Sequence, residues 1–203
     1  MIVFKYILVI LVGYLLGSYS LAIGITSGSG KDIREQGSGN SGATNMARMY
    51  GWKAGALTLG ADMVKACLAM LLGSALLGDW GVMAAGIASI VGHCYPVFYK
   101  FKGGKGISVG AAIGLMIDWR VFVIIIAVFI VFALSSKKVS LGSVMASIAI
   151  TAASFLLGVS TPKLILAAVA MVIAIFRHSP NIKRLAEGKE KDFKFGKERK
   201  IGE

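Results

Sequence analysis

Charge is scarce in this chain: only 16% of its 203 residues are Asp, Glu, Lys or Arg, against 56% hydrophobic. A soluble domain of this size carries roughly a quarter charged residues, and with a mean hydropathy of +0.76 the chain is excluded from that class. The composition is that of an integral membrane protein. Acid is scarcer still, with 10 acidic residues against 22 basic ones and a formal net charge of +12. Basic residues scattered over a soluble face would suit nucleic acid, but these cluster between apolar runs, which marks topology and excludes nucleic acid as a partner. Cysteine numbers two, and neither Cys67 nor Cys94 has a CxxC neighbour or a partner at metal spacing. Both read as small buried hydrophobes, and no metal site is implied.

What is present is a succession of apolar runs: Val3–Ile25, Gly55–Leu77, Gly81–Phe98, Gly106–Ile117, Trp119–Leu134, Leu141–Gly158 and Pro162–Phe176. Against the roughly 20 residues that a spanning helix needs, they predict an all-α polytopic membrane protein of seven transmembrane helices, forming one domain over 1–203. The first run has Lys5 near its start and small residues at Ser18–Ser20, but a single basic residue before so long an apolar run favours a retained helix over a cleaved signal peptide.

Orientation follows from Lys and Arg. Lys31, Arg34, Arg48 and Lys53 lie between the first two runs, Lys100, Lys102 and Lys105 between the third and fourth, and Lys137 and Lys138 between the fifth and sixth. Arg177, Lys183, Arg184, Lys189, Lys191, Lys194, Lys197, Arg199 and Lys200 follow the seventh, so 18 of the 22 basic residues fall on one side. The positive-inside rule makes that side cytoplasmic, with the N-terminus outside, the C-terminus inside and loops at about 28–54, 99–106 and 177–203 facing the cytoplasm. Trp52 anchors at the cytoplasmic boundary and Trp80 and Trp119 at the opposite one. The fourth run spans only about 18 Å as a helix, yet parity requires that it cross. Its Gly106, Gly110 and Gly114 form a small-residue stripe for close packing, as do Gly13 and Gly17 on the first helix.

Three polar segments interrupt this pattern. In GSGNSGATN, Gly37, Gly39 and Gly42 spell G-x-G-x-x-G, but no strand precedes them, so a dinucleotide site fails its structural test. The physics beneath the motif remains: Gly37, Gly39 and Gly42 free the backbone to turn N–H groups inward as an anion nest. Ser38, Asn40, Thr44 and Asn45 add neutral donors, and Arg48 adds a charged fork. In GHCYPVFYKFKGGKG, Gly103, Gly104 and Gly106 again offer backbone donors, with Lys105 at the start of the short helix where the helix dipole is positive. The Walker spacing is absent, so ATP is not implied. In HSPNIKRLAEGKE, His178 and Asn181 share a face if the last helix runs on through Pro180. Asp62 and Lys65, three apart within the second run, read as a structural pair.

DIREQGSGNSGATNMAR, GHCYPVFYKFKGGKG and HSPNIKRLAEGKE together resemble the three signature segments of the bacterial acyl-phosphate:glycerol-3-phosphate acyltransferases, the PlsY family, and the likeness covers essentially the whole chain. It implies transfer of a fatty acyl group from acyl phosphate to the sn-1 hydroxyl of glycerol 3-phosphate, with no cofactor and no obligate protein partner beyond the lipid bilayer. It further implies catalytic roles for Ser38, Arg48, Lys105, His178 and Asn181, phosphate binding by the glycine loops, and a structural role for Glu190. The chain departs from the pattern at Ile107-Ser108-Val109, where similar proteins more often read Val-Ala-Thr, so a role for that threonine hydroxyl does not transfer. The same change spells GISVG, but no strand precedes it and a serine-hydrolase elbow is rejected. A His-x4-Asp dyad is also absent, since Phe98 and Lys183 stand five residues beyond His93 and His178. The rival reading is a transporter of a phosphorylated metabolite, which would want a midplane site between inverted repeats; neither repeats nor midplane motifs are visible.

Overall fold

A computed structural model of the chain describes residues 1–194 and Gly196, and among these the fold is all-helical with no strand. Lys197, Arg199 and Lys200 of the basic tail lie outside the described residues. Nine α-helices follow in order: α1 (Ile2–Ser18), α2 (Leu21–Gly28), α3 (Ala43–Tyr50), α4 (Trp52–Cys94), α5 (Ile107–Ile117), α6 (Trp119–Ser136), α7 (Val139–Leu156), α8 (Thr161–Arg177) and α9 (Ser179–Ala186).

All seven apolar runs fall on helices, with departures at the breaks. The first run is split into α1 and α2, which meet at 43°, and Ser20 caps α2 by accepting the Ile23 N–H at 3.4 Å. The second and third runs are the two legs of α4, interrupted where Gly78 takes φ 59° and ψ −142°, a conformation open to glycine. A Cβ on Gly73 would lie 2.2 Å from the Gly81 carbonyl oxygen, so the legs fold back on each other with their backbones in contact. Among the described residues, three helices are long and apolar enough to cross a membrane as they stand, up to five if each bent pair counts as one, with both legs of α4 counted together. The short polar helices α3 and α9 carry no apolar run, and periodicity over so few residues gave no sign of them.

The small-residue stripes set the packing. A Cβ on Gly17 would sit 2.3 Å from the Ser89 carbonyl oxygen, and one on Gly13 3.0 Å from that of Ala85, so α1 lies backbone to backbone on the second leg of α4. The stripe on α5 behaves differently at each step. Gly106 meets Ile90 and Gly114 meets Ile125, whereas a Cβ on Gly110 would meet nothing within 4 Å. The expectation of close packing along the whole stripe is thus corrected: its middle glycine faces a groove. The main core joins α4, α5 and α8 through Met70, Ile90, Val109, Ile113 and Leu166, all fully buried. A second small core of Ala22, Ile23, Ile33, Met46 and Tyr50 sits beneath the first polar segment.

Candidate active site

The first polar segment is built on that small core. Ile33 is buried and donates its N–H to Thr26 Oγ1 at 3.1 Å, while Asp32 caps a 3₁₀ turn over Ile33–Glu35. Asn45 then staples the loop: its Oδ1 accepts the Ser38 N–H at 2.9 Å, and its Nδ2 donates to the carbonyls of Ile33 at 3.2 Å and Gln36 at 2.9 Å. The side chain is 1% exposed, so the expected substrate-phosphate donor is instead occupied in shaping the loop. Gly37 serves the same fit, since a Cβ there would lie 2.3 Å from Asn45 Oδ1, and Gly37 and Gly39 both have left-handed φ, 59° and 72°. Ser38, Gly39 and Asn40 reach a polar cleft, whereas Gly42 caps α3 and Thr44 lies in its first turn, neither lining the cleft.

The second segment folds over the end of α4. The Gly103 N–H donates to the Cys94 carbonyl at 3.2 Å and the Gly104 N–H to that of His93 at 3.0 Å, so these two amides are occupied, contrary to the expectation that they stand free for an anion. The donors left for an anion are those of the first turn of α5, after Gly106, whose φ of 85° swings the chain into that helix. Two arginines grip the loop by its carbonyls. Arg177, at the end of α8, donates to Gly104 O and Gly103 O, each at 3.1 Å, with its guanidinium 5.2 Å above the Tyr95 ring. Arg34, paired with Asp32, donates to Tyr99 O at 2.8 Å and Lys102 O at 3.4 Å and so joins the first segment to the second. Between those carbonyls Lys100 and Phe101 are both held in the left-handed region, at φ 57° and 58°. The sequence offered Arg34 and Arg177 only as topology charges, because carbonyl-binding arginines follow no spacing rule.

The third segment does not continue the last helix. The chain bends 61° between α8 and α9, with His178 at the corner and Pro180 in the first turn of α9, where its missing N–H costs nothing. His178 is therefore not on a shared helical face with Asn181: Asn181 arrives beside Lys105 by another route, while His178 stays buried at the corner and does not line the cleft. Lys105 Nζ donates to Asn181 Oδ1, Asn181 Nδ2 donates to Glu190 Oε1 at 2.7 Å, and Arg184 Nε donates to Glu190 Oε2 at 2.6 Å. Glu190 thus orients Asn181, which orients Lys105. His178 Nδ1–H donates to the Ala174 carbonyl at 2.8 Å, which fixes the tautomer and leaves the Nε2 lone pair as the basic one.

These elements enclose a cleft of about 640 Å³, lined by Ser38, Gly39, Asn40, Gly103, Lys105 and Asn181 with Lys100, Lys102, Arg177 and Arg184. Arg48 does not line it; its guanidinium stands 5.8 Å over the Phe193 ring. Burial lowers the Lys105 ammonium to about 8, with repulsion from Arg184 adding to it and Glu190 opposing. Burial likewise lowers His178 to about 4, partly offset by its bond to Ala174, so the imidazole is neutral at pH 7. Directly behind Lys105, a second, apolar cavity begins at Gly106 and Ile107 and runs between α5, α6, α7 and α8 past Gly110, Phe129, Ile150 and Met171.

Residues 7–188 match the family model described as glycerol-3-phosphate acyltransferase. The glycerol-3-phosphate acyltransferase of Thermoanaerobacter pseudethanolicus is 38% identical over 185 residues, covering 91% of this chain and 93% of its own. That of Bacillus subtilis is 37% identical over 190 residues, covering 93% and 97%. Crystal structures of PlsY, described as an integral membrane glycerol 3-phosphate acyltransferase, are similar in fold and 34% identical. The glycerol 3-phosphate form superposes with a TM-score of 0.89 over 93% of this chain and 96% of that one, and the lysophosphatidic acid form with 0.87.

Proposed function

The chain belongs to the glycerol-3-phosphate acyltransferase family, and from that premise we propose how its own residues move an acyl group from acyl phosphate to the sn-1 hydroxyl of glycerol 3-phosphate. The products are lysophosphatidic acid and phosphate, in the first step of phospholipid synthesis. The observation that carries the reading is the adjacency of two unlike cavities: Lys105 lines the cationic cleft and Gly106, the next residue, opens the apolar groove. A donor that is phosphate at one end and hydrocarbon at the other fits across that junction, with its carbonyl carbon at the boundary.

Both substrates are anionic, so the first task is to bring like charges together. Lys105, Arg177 and the free amides of the first turn of α5 offset the repulsion and stabilise charge on the departing phosphate. Ser38 and Asn40 orient glycerol 3-phosphate from the opposite wall, and Arg48 contributes its charge from behind, where it also depresses Lys105. The hydroxyl oxygen attacks the carbonyl carbon, the carbon–oxygen bond to phosphate breaks, and the hydroxyl proton leaves through His178 Nε2 to the phosphate released. An acyl phosphate is already activated, so no acyl-enzyme is needed.

The chain acts as one domain crossing the inner membrane seven times, with α1 and α2 as one span, each leg of α4 as one, and α5, α6, α7 and α8 as the rest. The cleft then opens to the cytoplasm and the groove to the bilayer. The test is purified protein in lipid with acyl phosphate and glycerol 3-phosphate, beside Arg48→Ala and Lys105→Ala. Lysophosphatidic acid and phosphate from the parent, lost in both variants, are expected; no product from folded parent protein overturns the reading.

A further inference from the structure

Asp62, Lys65 and His93 are each more than nine-tenths buried, and the reaction described above uses none of them. An ion pair taken out of water costs more than it returns unless its remaining bonds are met, so its place between helices requires a reason. Lys65 Nζ lies 2.7 Å from Asp62 Oδ1 and also donates to the Tyr19 carbonyl in the break between α1 and α2. His93 Nδ1 lies 3.4 Å from Lys65 Nζ and 3.5 Å from Asp62 Oδ1. One edge of the imidazole is therefore held by the pair. The other edge bears on the second polar segment: a Cβ on Gly104 would stand 2.1 Å from His93 Nε2 and 2.8 Å from Cε1. The His93 carbonyl meanwhile accepts the Gly104 N–H at 3.0 Å. A single residue thus supports Gly104 through both its backbone and its ring, and Lys105 is next in the chain.

We infer that Asp62, Lys65 and His93 form a buried positioning unit, in which the ion pair fixes the His93 ring and the ring sets the height of Gly104, and so of Lys105, over the cleft. The inference rests on the loop from Gly103 to Gly106 serving the phosphate substrates. Glycine is required at 104 because the ring occupies the place of a side chain, and the network reaches through Tyr19 to the element that carries the first segment. None of the three touches substrate; each acts through the loop.

Steady-state kinetics of the full chain in lipid, with KM for both phosphate substrates and kcat measured separately, test this. Turnover by the parent tests the acyltransferase reading itself, and its absence overturns that reading and with it this inference. Given turnover, Gly104→Ala and His93→Ala each raise the KM of at least one phosphate substrate by roughly tenfold, the scale of one charged hydrogen bond misplaced, with a smaller change in kcat. The double variant His93→Ala with Gly104→Ala has a lower KM than Gly104→Ala alone, because the new methyl enters the space the ring vacates. Asp62→Asn with Lys65→Met, which removes both charges together, raises KM as His93→Ala does. Should His93→Ala fail to fold, His93→Asn, which keeps a polar group at the Nδ1 position and lacks the Nε2 edge, carries the same expectations. A parental KM in the His93 variants with only a loss of thermal stability overturns the inference, as does a double variant whose defect is the product of the two single ones.

Discussion

Lys105 is a cation made weak by its surroundings. With its pKa at about 8, the free enzyme loses the Lys105 charge as pH rises through that value, and with it the attraction for phosphate. The expected profile of kcat/KM for glycerol 3-phosphate falls on the alkaline side with an apparent pKa near 8, since this ratio reports groups in the free enzyme. Arg184 repels the ammonium, so Arg184→Gln raises the Lys105 pKa and moves the limb to higher pH; an unmoved limb assigns it to another group. His178 works the other way. Lowered to about 4, it is already neutral at pH 5, and its loss of basicity by protonation belongs below that, leaving no limb near the ordinary histidine value. His178→Gln is expected to cost at least about 10²-fold in kcat if Nε2 takes the proton, and a rate within a few-fold of the parent removes it from that role. The placing of Ser38, Lys105 and Asn181 around one cleft was legible because loop chemistry and family likeness both mark their segments. Asn45 was misassigned for a physical reason: a buried amide and a ligand-binding amide look alike in sequence, and only the three backbone bonds of Asn45 tell them apart. Arg34 and Arg177 were visible as charges but not as clamps, because their acceptors lie more than 60 positions away in the chain.

The helices separate two uses of glycine that share one spacing. Gly13 and Gly17 admit a neighbouring backbone, and Gly17→Val places a side chain where the Ser89 carbonyl stands. The variant is expected to lose about 1–3 kcal/mol of stability, seen as a lowered Tm in detergent, without a specific change in KM. Gly110 has open space before it, so Gly110→Leu should leave the Tm near that of the parent while its side chain fills the groove beside Phe129 and Ile150. The expected signature is a raised KM for long-chain acyl phosphate with the KM for glycerol 3-phosphate retained, and a shift toward shorter acyl chains. Equal activity across chain lengths would take the acyl chain out of this groove. Apolar runs gave the helical elements well, because hydropathy alone decides what can sit in lipid. They gave the reversal at Gly78 too, since the second run ends at Leu77 and the third begins at Gly81, but not the short amphipathic α3 and α9, whose polar faces resemble linker sequence.

At the scale of the whole molecule the charge distribution makes the strongest claim. Lys100, Lys102, Lys105, Lys137, Lys138, Arg177 and the tail as far as Lys194 lie at one end of the helices, whereas Asp79, Asp118, Arg120, Ser160 and Lys163 lie at the other. There Asp79 pairs with Lys163 at 3.2 Å and accepts from Ser160 at 2.6 Å, a small ionic clasp between the turn of α4 and the start of α8. The tail returns to the cationic end, where Asp192 meets Lys138 at 3.0 Å and the Phe193 N–H donates to the Lys137 carbonyl at 2.9 Å. If each leg of α4 and the short α5 cross the bilayer, Ser160 faces outward and Ser135, exposed at the end of α6, faces the cytoplasm with the cleft. With Cys67 and Cys94 replaced by alanine, a single cysteine at Ser160 is then expected to react with an impermeant thiol reagent in right-side-out vesicles. One at Ser135 should react only in inverted vesicles. The Asp79 clasp holds Ser160 and the turn of α4 at one end, so an exchange of sides by both labels would mean that the whole bundle is inserted the other way up. The clustered lysines would then face outward against the usual bias, and the cleft would be cut off from cytoplasmic glycerol 3-phosphate. The labelling pair therefore decides the side from which the phosphate substrates enter.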